Sequence, residues 1–292
     1  MIEPMERRKM TGLTQVAIQK KWLIGFALFG LIIFGVIAYY FLPNPIDWTV
    51  FYFPATSGLL SGQNPYQPGH AFFNPPWVLL PFIPLVLLPF RVGVAILYVL
   101  NTGVFLFIGY RTGLRPIPLL AFMLSLPVIS CILFGQVDGF CLLGLFMPHP
   151  VGLIFLLTKP QVGGVIACFW VLEAWRSAGW KGVWRLMAPS LGLFLISILV
   201  FGLWPLQLRV SILFDAQHNT SLWPGSLMIG LPLLVYALRL RNEKVALMVS
   251  PFLSPYVGPQ SWSIALLGLS AYPAEMVAAC LASWALFIFR VL

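Results

Sequence analysis

The sequence predicts an all-α fold, a bundle of membrane-crossing helices, and three observations carry that expectation. Of 292 residues, 60% are hydrophobic and only 9% charged, against about 25% charged in soluble domains. The mean hydropathy is +0.93, and the apolar runs are continuous where a closed barrel would alternate polar and apolar residues over about ten-residue segments. The basic residues, finally, fall in short clusters between the apolar runs, which is how a multi-pass chain sets its topology.

The first apolar run, "WLIGFALFGLIIFGVIAYYFL" (22–42), follows the basic stretches "RRKM" and "QKK". It is too long for the core of a cleaved signal and lacks a small-x-small cleavage site, so it reads as an anchor with residues 1–21 in the cytoplasm. Residues 43–91 then form a first outer loop. Within it, "PPWVLLPFIPLVLLPF" (75–90) carries five prolines in sixteen residues, which spoils a continuous span and predicts short helices in the outer interface.

Spans are expected at 92–110 and 116–134, separated by Arg111 and Arg115 on the cytoplasmic side. Two short ones follow at 139–148 and 150–158, and longer ones at 162–175 and 186–204 flank the basic stretch "WRSAGWKGVWR" (175–185). The last are expected near 226–238, 245–255, 261–271 and 273–289, for about ten or eleven crossings in a single domain over 22–292.

The excess of 17 Lys and Arg over 8 Asp and Glu belongs to this clustering and argues against a nucleic-acid partner. Cys131, Cys141, Cys168 and Cys280 lie inside apolar runs with no C-x-x-C spacing, and read as small buried hydrophobes. The chain has no G-x-x-x-x-G-K-[ST], H-E-x-x-H or G-x-S-x-G, so nucleotide, zinc-protease and serine-hydrolase chemistry is unsupported.

On this topology one face of the bundle collects Asp47, His70, Gln136, Asp138, Lys159, Gln161, Arg209, Asp215, His218, Asn219 and Gln260. Polar groups in or beside a membrane are costly, which makes such a gathering a site candidate. Asp47 is suited to a general base in an aromatic-lined loop, or else caps the helical stretch that begins at Trp48. Lys159 can hold a phosphate as a point charge, or else snorkels to the interface. His218 can bind a phosphate or donate to a leaving oxygen, or else is an ordinary surface histidine. A divalent cation between Asp47 and Asp138 is a weaker option, so no cofactor is expected.

The order of motifs along the chain resembles the GT-C superfamily of integral-membrane glycosyltransferases, in the branch of polyprenyl-phosphate-mannose-dependent α-mannosyltransferase-like proteins. The first outer loop supplies Asp47, Tyr52, Ala55, Leu60, Gly62, Pro65, Tyr66 and "FFNPP" (72–76). "GQVD" (135–138), "TKPQ" (158–161), "HNTSLWPG" (218–225) and "FLSPYVGPQSW" (252–262) follow in order, with Asp138 where the family more often has Asn. The resemblance implies a multi-pass bundle in a prokaryotic plasma membrane. It implies a polyprenyl-phosphate hexose as donor, and a lipid, glycan or protein acceptor on the outer face.

Carried over residue by residue, it makes Asp47 the catalytic base of an inverting transfer and Lys159, His218 and Arg209 the donor-phosphate ligands. Tyr66, Gln136, Asp138, Asn219 and Ser221 become substrate-binding residues, and Trp77 and Phe82 line the lipid entrance. The other expectation left open is a non-catalytic relative, acting as a lipid or glycolipid transporter or as a subunit of a membrane complex.

Overall fold

The computed structural model describes residues 25, 28–67, 72–208 and 219–291. The tail 1–21 and the candidate residues His70, Arg209, Asp215 and His218 lie outside them. Among the described residues every regular element is helical, as continuous apolar runs in a chain with so few charges require.

Helix α1 (Leu28–Phe41) opens the described part. A π-helical turn at Trp48–Tyr52 leads into α2 (Phe53–Leu60), and a 3-10 turn at Pro76–Phe82 leads into α3 (Ile83–Val86). The proline-rich stretch thus breaks into short pieces, because each proline removes a backbone donor. Next come α4 (Phe90–Arg111), α5 (Pro116–Met123) and α6 (Leu126–Phe134). A short hairpin follows, made of α7 (Asp138–Leu143) with a 3-10 extension at Gly144–Phe146, and α8 (His149–Leu156).

Helix α9 (Pro160–Phe201) is two helical segments joined at a break at Ala178 and at Gly179, whose φ is +54°, and its far end returns to the first loop, where Phe201 packs on Tyr66. The two spans expected at 162–175 and 186–204 correspond to these two segments, and the basic stretch 175–185 between them is helical on either side of the break. Glycine takes this positive φ without the Cβ penalty other residues meet. The chain ends in α10 (Leu227–Leu240), α11 (Glu243–Leu253), α12 (Ser263–Gly268) and α13 (Pro273–Val291).

Two helices, α4 and α9, are long and apolar enough to cross a membrane, and α5 with α6, bent by 50°, makes a third if the pair is one span. Helix α8 packs along α9, α11 lies between α9, α10 and α12, and α13 closes against α5. The hairpin is held by a close backbone crossing: a Cβ on Gly152 would stand 2.3 Å from the Gly144 carbonyl oxygen. Three of the four cysteines are buried as expected, but Cys168 is exposed, since it falls on the outward side of α9.

The ends of the long helices separate two kinds of polar group. Arg176 and Arg241 both bond Glu173, and Trp170 donates to Glu243 at 2.9 Å, which ties α9 to the α10–α11 turn. At 1.5 Å rise per residue, Arg176 stands roughly 25 Å along α9 from Lys159. Arg111 likewise ends α4, near the rings of Phe107 and Phe146, far from Arg91 at its start. The basic end and the end that holds Asp47 are therefore opposite ends of the same helices.

Candidate functional site

Asp47 sits just before the π-helical turn and makes no side-chain cap bond, so the capping role is not the one it plays. Its Oδ2 instead accepts a hydrogen bond from Gln136 Nε2, 89 residues away in sequence. That meeting is set by Gly135, which ends α6 in the left-handed region at φ +71°. A Cβ there would stand 2.9 Å from Pro45 and 3.2 Å from Trp48. Both the conformation and the close approach demand glycine, and the turn thereby presses Gln136 against Asp47.

Gln136 faces the other way as well: its Oε1 accepts from Lys159 Nζ at 3.0 Å. Lys159 also donates to Asp138 Oδ2 at 2.5 Å, and Ser261 donates to Asp138 Oδ1 at 3.2 Å. A single file of polar groups thus runs from Asp47 through Gln136 and Lys159 to Asp138 and Ser261. It is buried: Asp47 is 8% exposed, Lys159 5%, and Asp138 and Ser261 not at all. Lys159 therefore does not snorkel. The ammonium turns inward because a buried carboxylate compensates it.

The file also goes deep. Gly135 lies against Leu97 of α4, whereas Gly139, next to Asp138, lies against Val104 and Phe105. The short hairpin allows this, since it starts and ends part-way along the longer helices and leaves its turns, 135–138 and 157–159, inside the bundle. The first loop settles on top. Asn74 donates to the Thr158 carbonyl at 3.0 Å, and Tyr66 donates to the Asn74 carbonyl at 2.7 Å. Tyr52 donates to Asn74 Oδ1 at 3.3 Å.

Two tyrosines feel the charges of this file. Burial, then the Asp47 and Asp138 carboxylates, raise the Tyr52 phenol well above its usual range. Burial and the same two carboxylates raise Tyr256 despite the opposing pull of Lys159. Both phenols therefore remain protonated donors. Tyr52 and Asn74 escaped the sequence reading as site residues because an aromatic and an amide in a greasy loop look like packing. Tyr256 and Ser261 could have been sought in the "FLSPYVGPQSW" stretch, which had already been singled out.

Other expected residues fall elsewhere. Asn219 accepts from the backbone N–H groups of Ser221 and Val257 and donates to the Pro255 carbonyl, while Ser221 donates to the Ser254 carbonyl at 2.7 Å. Thr220 N–H to Val257 O, 2.7 Å, completes a clasp between 219–221 and 254–257. Asn219 and Ser221 thus hold the loop that presents Tyr256. Tyr66 is buried and stacked on Trp204 at 5.2 Å.

Trp77 and Phe82 are the residues expected at the lipid entrance. Phe82 is buried beneath Trp48 and Tyr52, and half-buried Trp77 donates to the Ile154 carbonyl. Both rings are drawn inward because the 3-10 turn packs on α2 and the hairpin. The exposed apolar side chains of that stretch are Leu80, Leu87 and Leu88. As for a divalent ion, the Asp138 oxygen it would need already faces the Lys159 ammonium.

No protein-family model, no curated protein and no solved structure matches this chain.

Proposed function

We propose that this chain is a membrane glycosyltransferase that moves a hexose, mannose foremost, from a polyprenyl-phosphate donor to a hydroxyl group of a lipid, glycan or protein acceptor. The site faces away from the cytoplasm, in a multi-pass bundle of a prokaryotic plasma membrane, with the short helices completing the crossings that α4, α9 and the α5–α6 pair begin. The observation that carries this reading is the convergence of Asp47, Gln136, Lys159 and Asp138 from two distant loops and a helix start into one buried file.

In this reading Asp47 takes the proton of the acceptor hydroxyl, whose oxygen attacks the anomeric carbon from the face opposite the phosphate. The new C–O bond forms as the bond to phosphate oxygen breaks, and the polyprenyl phosphate leaves with the electron pair. The configuration inverts. Gln136 fixes the Asp47 carboxylate. Lys159 has three N–H donors, of which two serve Gln136 and Asp138; the third meets the charge that grows on the leaving phosphate. Arg209 and His218 remain proposed as further phosphate ligands. Tyr256 donates its hydroxyl to a sugar or phosphate oxygen from the open side.

The test is transfer from a radiolabelled polyprenyl-phosphate mannose in membranes that hold wild type or Asp47→Asn at equal folded abundance. Loss of a positioned base costs about 10² to 10⁴ in rate, so label reaching an acceptor in the wild type and not in the variant is the expected result. Silence of the wild type with mannose, glucose and arabinose donors alike would remove catalysis from consideration.

One observation favours the second reading, a carrier. The Asp138–Lys159 pair is fully enclosed beside the interior of α4, and ionisable groups at such depth mark ion and proton pathways in transporters. Glycolipid or proton flux into proteoliposomes that depends on Asp138 but not on Asp47 would support it over transfer.

A further inference from the structure

Apart from the buried file, the structure has a groove of about 650 Å³ between α1 and the first half of α4. Its volume falls within the range of about 300 to 1,000 Å³ typical of ligand pockets. Leu28, Ile32, Val36 and Tyr40 line it along α1 at four-residue spacing, so it extends about 18 Å along the helix axis. Its floor is the close contact of Gly35 with Val99, where a Cβ would meet the valine at 3.0 Å. A long, narrow, apolar trough of this kind suits one linear hydrocarbon chain.

Among the described residues, the polar end of the trough is the one at Arg91. Arg91 precedes the lining residues of α4 and shares a face with Ala95 and Val99, four and eight positions on. It is exposed, and its Nη1 donates to the Leu42 carbonyl and to Asn44 Oδ1, both at 3.1 Å. A guanidinium has five N–H donors in a fork that matches phosphate, so the bonds to the chain brace it and leave donors for an anion. Asn44, in turn, stands three residues before Asp47.

We propose that this groove is the entry site for the isoprenoid chain of a polyprenyl phosphate: Arg91 meets the phosphate first, and the sugar-phosphate head then passes along the 44–47 turn to Asp47 and Lys159. The assignment rests on the glycosyltransferase reading for its ligand and relocates the lipid entrance from Trp77 and Phe82 to α1 and α4. Charge at the mouth and apolar length below it are the complement of a single-chain phosphate lipid, and the turn that braces the arginine is the one that carries the base.

The experiment uses the full-length protein in detergent or nanodiscs and a diazirine-tagged polyprenyl phosphate that bears no sugar, with the labelled peptides identified by mass spectrometry. Label is expected on the peptides of α1 and of the first half of α4, and unlabelled polyprenyl phosphate but not phosphatidylglycerol competes it away. Arg91→Gln and, independently, Val36→Trp, which fills the trough from an exposed position, each lower labelling about tenfold. Asp47→Asn leaves it unchanged.

Label on other peptides, equal competition by phosphatidylglycerol, or indifference to both variants overturns the assignment. The assay reads binding without transfer. Asp47-dependent transfer with no label in the groove therefore sinks the groove alone, and groove labelling in a protein that transfers nothing upholds the groove while sinking the enzyme.

Discussion

Lys159 Nζ lies 2.5 Å from Asp138 Oδ2, and neither side chain is more than 6% exposed. Each charge is stable at this depth only through the other, because burial of a lone ion costs several kcal/mol. The pair also joins the hairpin to the start of α9, so it fixes the turn that brings Gln136 to Asp47.

Asp138→Leu or Lys159→Met alone is expected to destabilise the protein by about 3 to 5 kcal/mol, since each strands its partner. The double variant should recover most of that loss. Thermal unfolding in detergent checks it, and a double variant as unstable as the sum of the singles would refute the coupling.

Gly135→Ala should lower both stability and transfer. A side chain there meets the left-handed penalty of about 1 kcal/mol and the contacts with Pro45 and Trp48. Gly164, with open space around its Cβ position, is the control: Gly164→Ala is expected to be neutral or slightly stabilising within its helix.

Gln136→Leu removes the hydrogen bond to Asp47 and the acceptor for Lys159 while keeping volume. Transfer is expected to fall by about 10² or more with abundance largely retained, because the effect is on orientation of the base. The loss should appear in kcat, with KM changed little. An unaltered rate would mean that Asp47 acts without Gln136.

Asn219→Ala breaks the clasp to Val257 and Pro255. Several hydrogen bonds at about 1 kcal/mol each are lost or loosened, so faster amide exchange is expected at 219–221 and 254–257 before any change in α4 or α9. Exchange measured by mass spectrometry decides. Unchanged protection at 254–257 would show that the loop holds without the clasp.

Tyr52 gives the expected alkaline behaviour. Burial raises its folded pKa above the unfolded value near 10, so its contribution to stability is complete below about pH 10. It is lost as pH rises through the folded value. Tyr52→Phe should therefore reduce the steepness of alkaline unfolding above that pH. An identical alkaline profile in both proteins would contradict the assignment.

Much of the local structure was readable from residue order. Prolines in 75–90 foretold broken helices, and the apolar runs foretold α4 with boundaries close to those observed; the single span expected at 116–134 is the bent α5–α6 pair, and the two short spans expected at 139–148 and 150–158 are the short helices α7 and α8. Asp47, Gln136, Asp138 and Lys159 were all singled out. What the order of residues concealed was their mutual use: a lysine assigned to phosphate alone is paired with an aspartate assigned to substrate, and Asn219 and Ser221 serve a loop. Pair interactions between residues 21 to 123 positions apart leave no trace in local periodicity.

The sequence by itself determined that this chain is helical, apolar enough to enter a membrane, and polar at a few chosen turns, because those properties depend on hydropathy and on backbone donors counted locally. Tertiary structure alone decided which turns meet, how deep the Asp138–Lys159 pair lies, that Phe82 faces inward, and that the open trough lies between α1 and α4. Those outcomes depend on where helices begin and cross in space, and a close approach such as Gly135 against Trp48 exists only once both segments are packed.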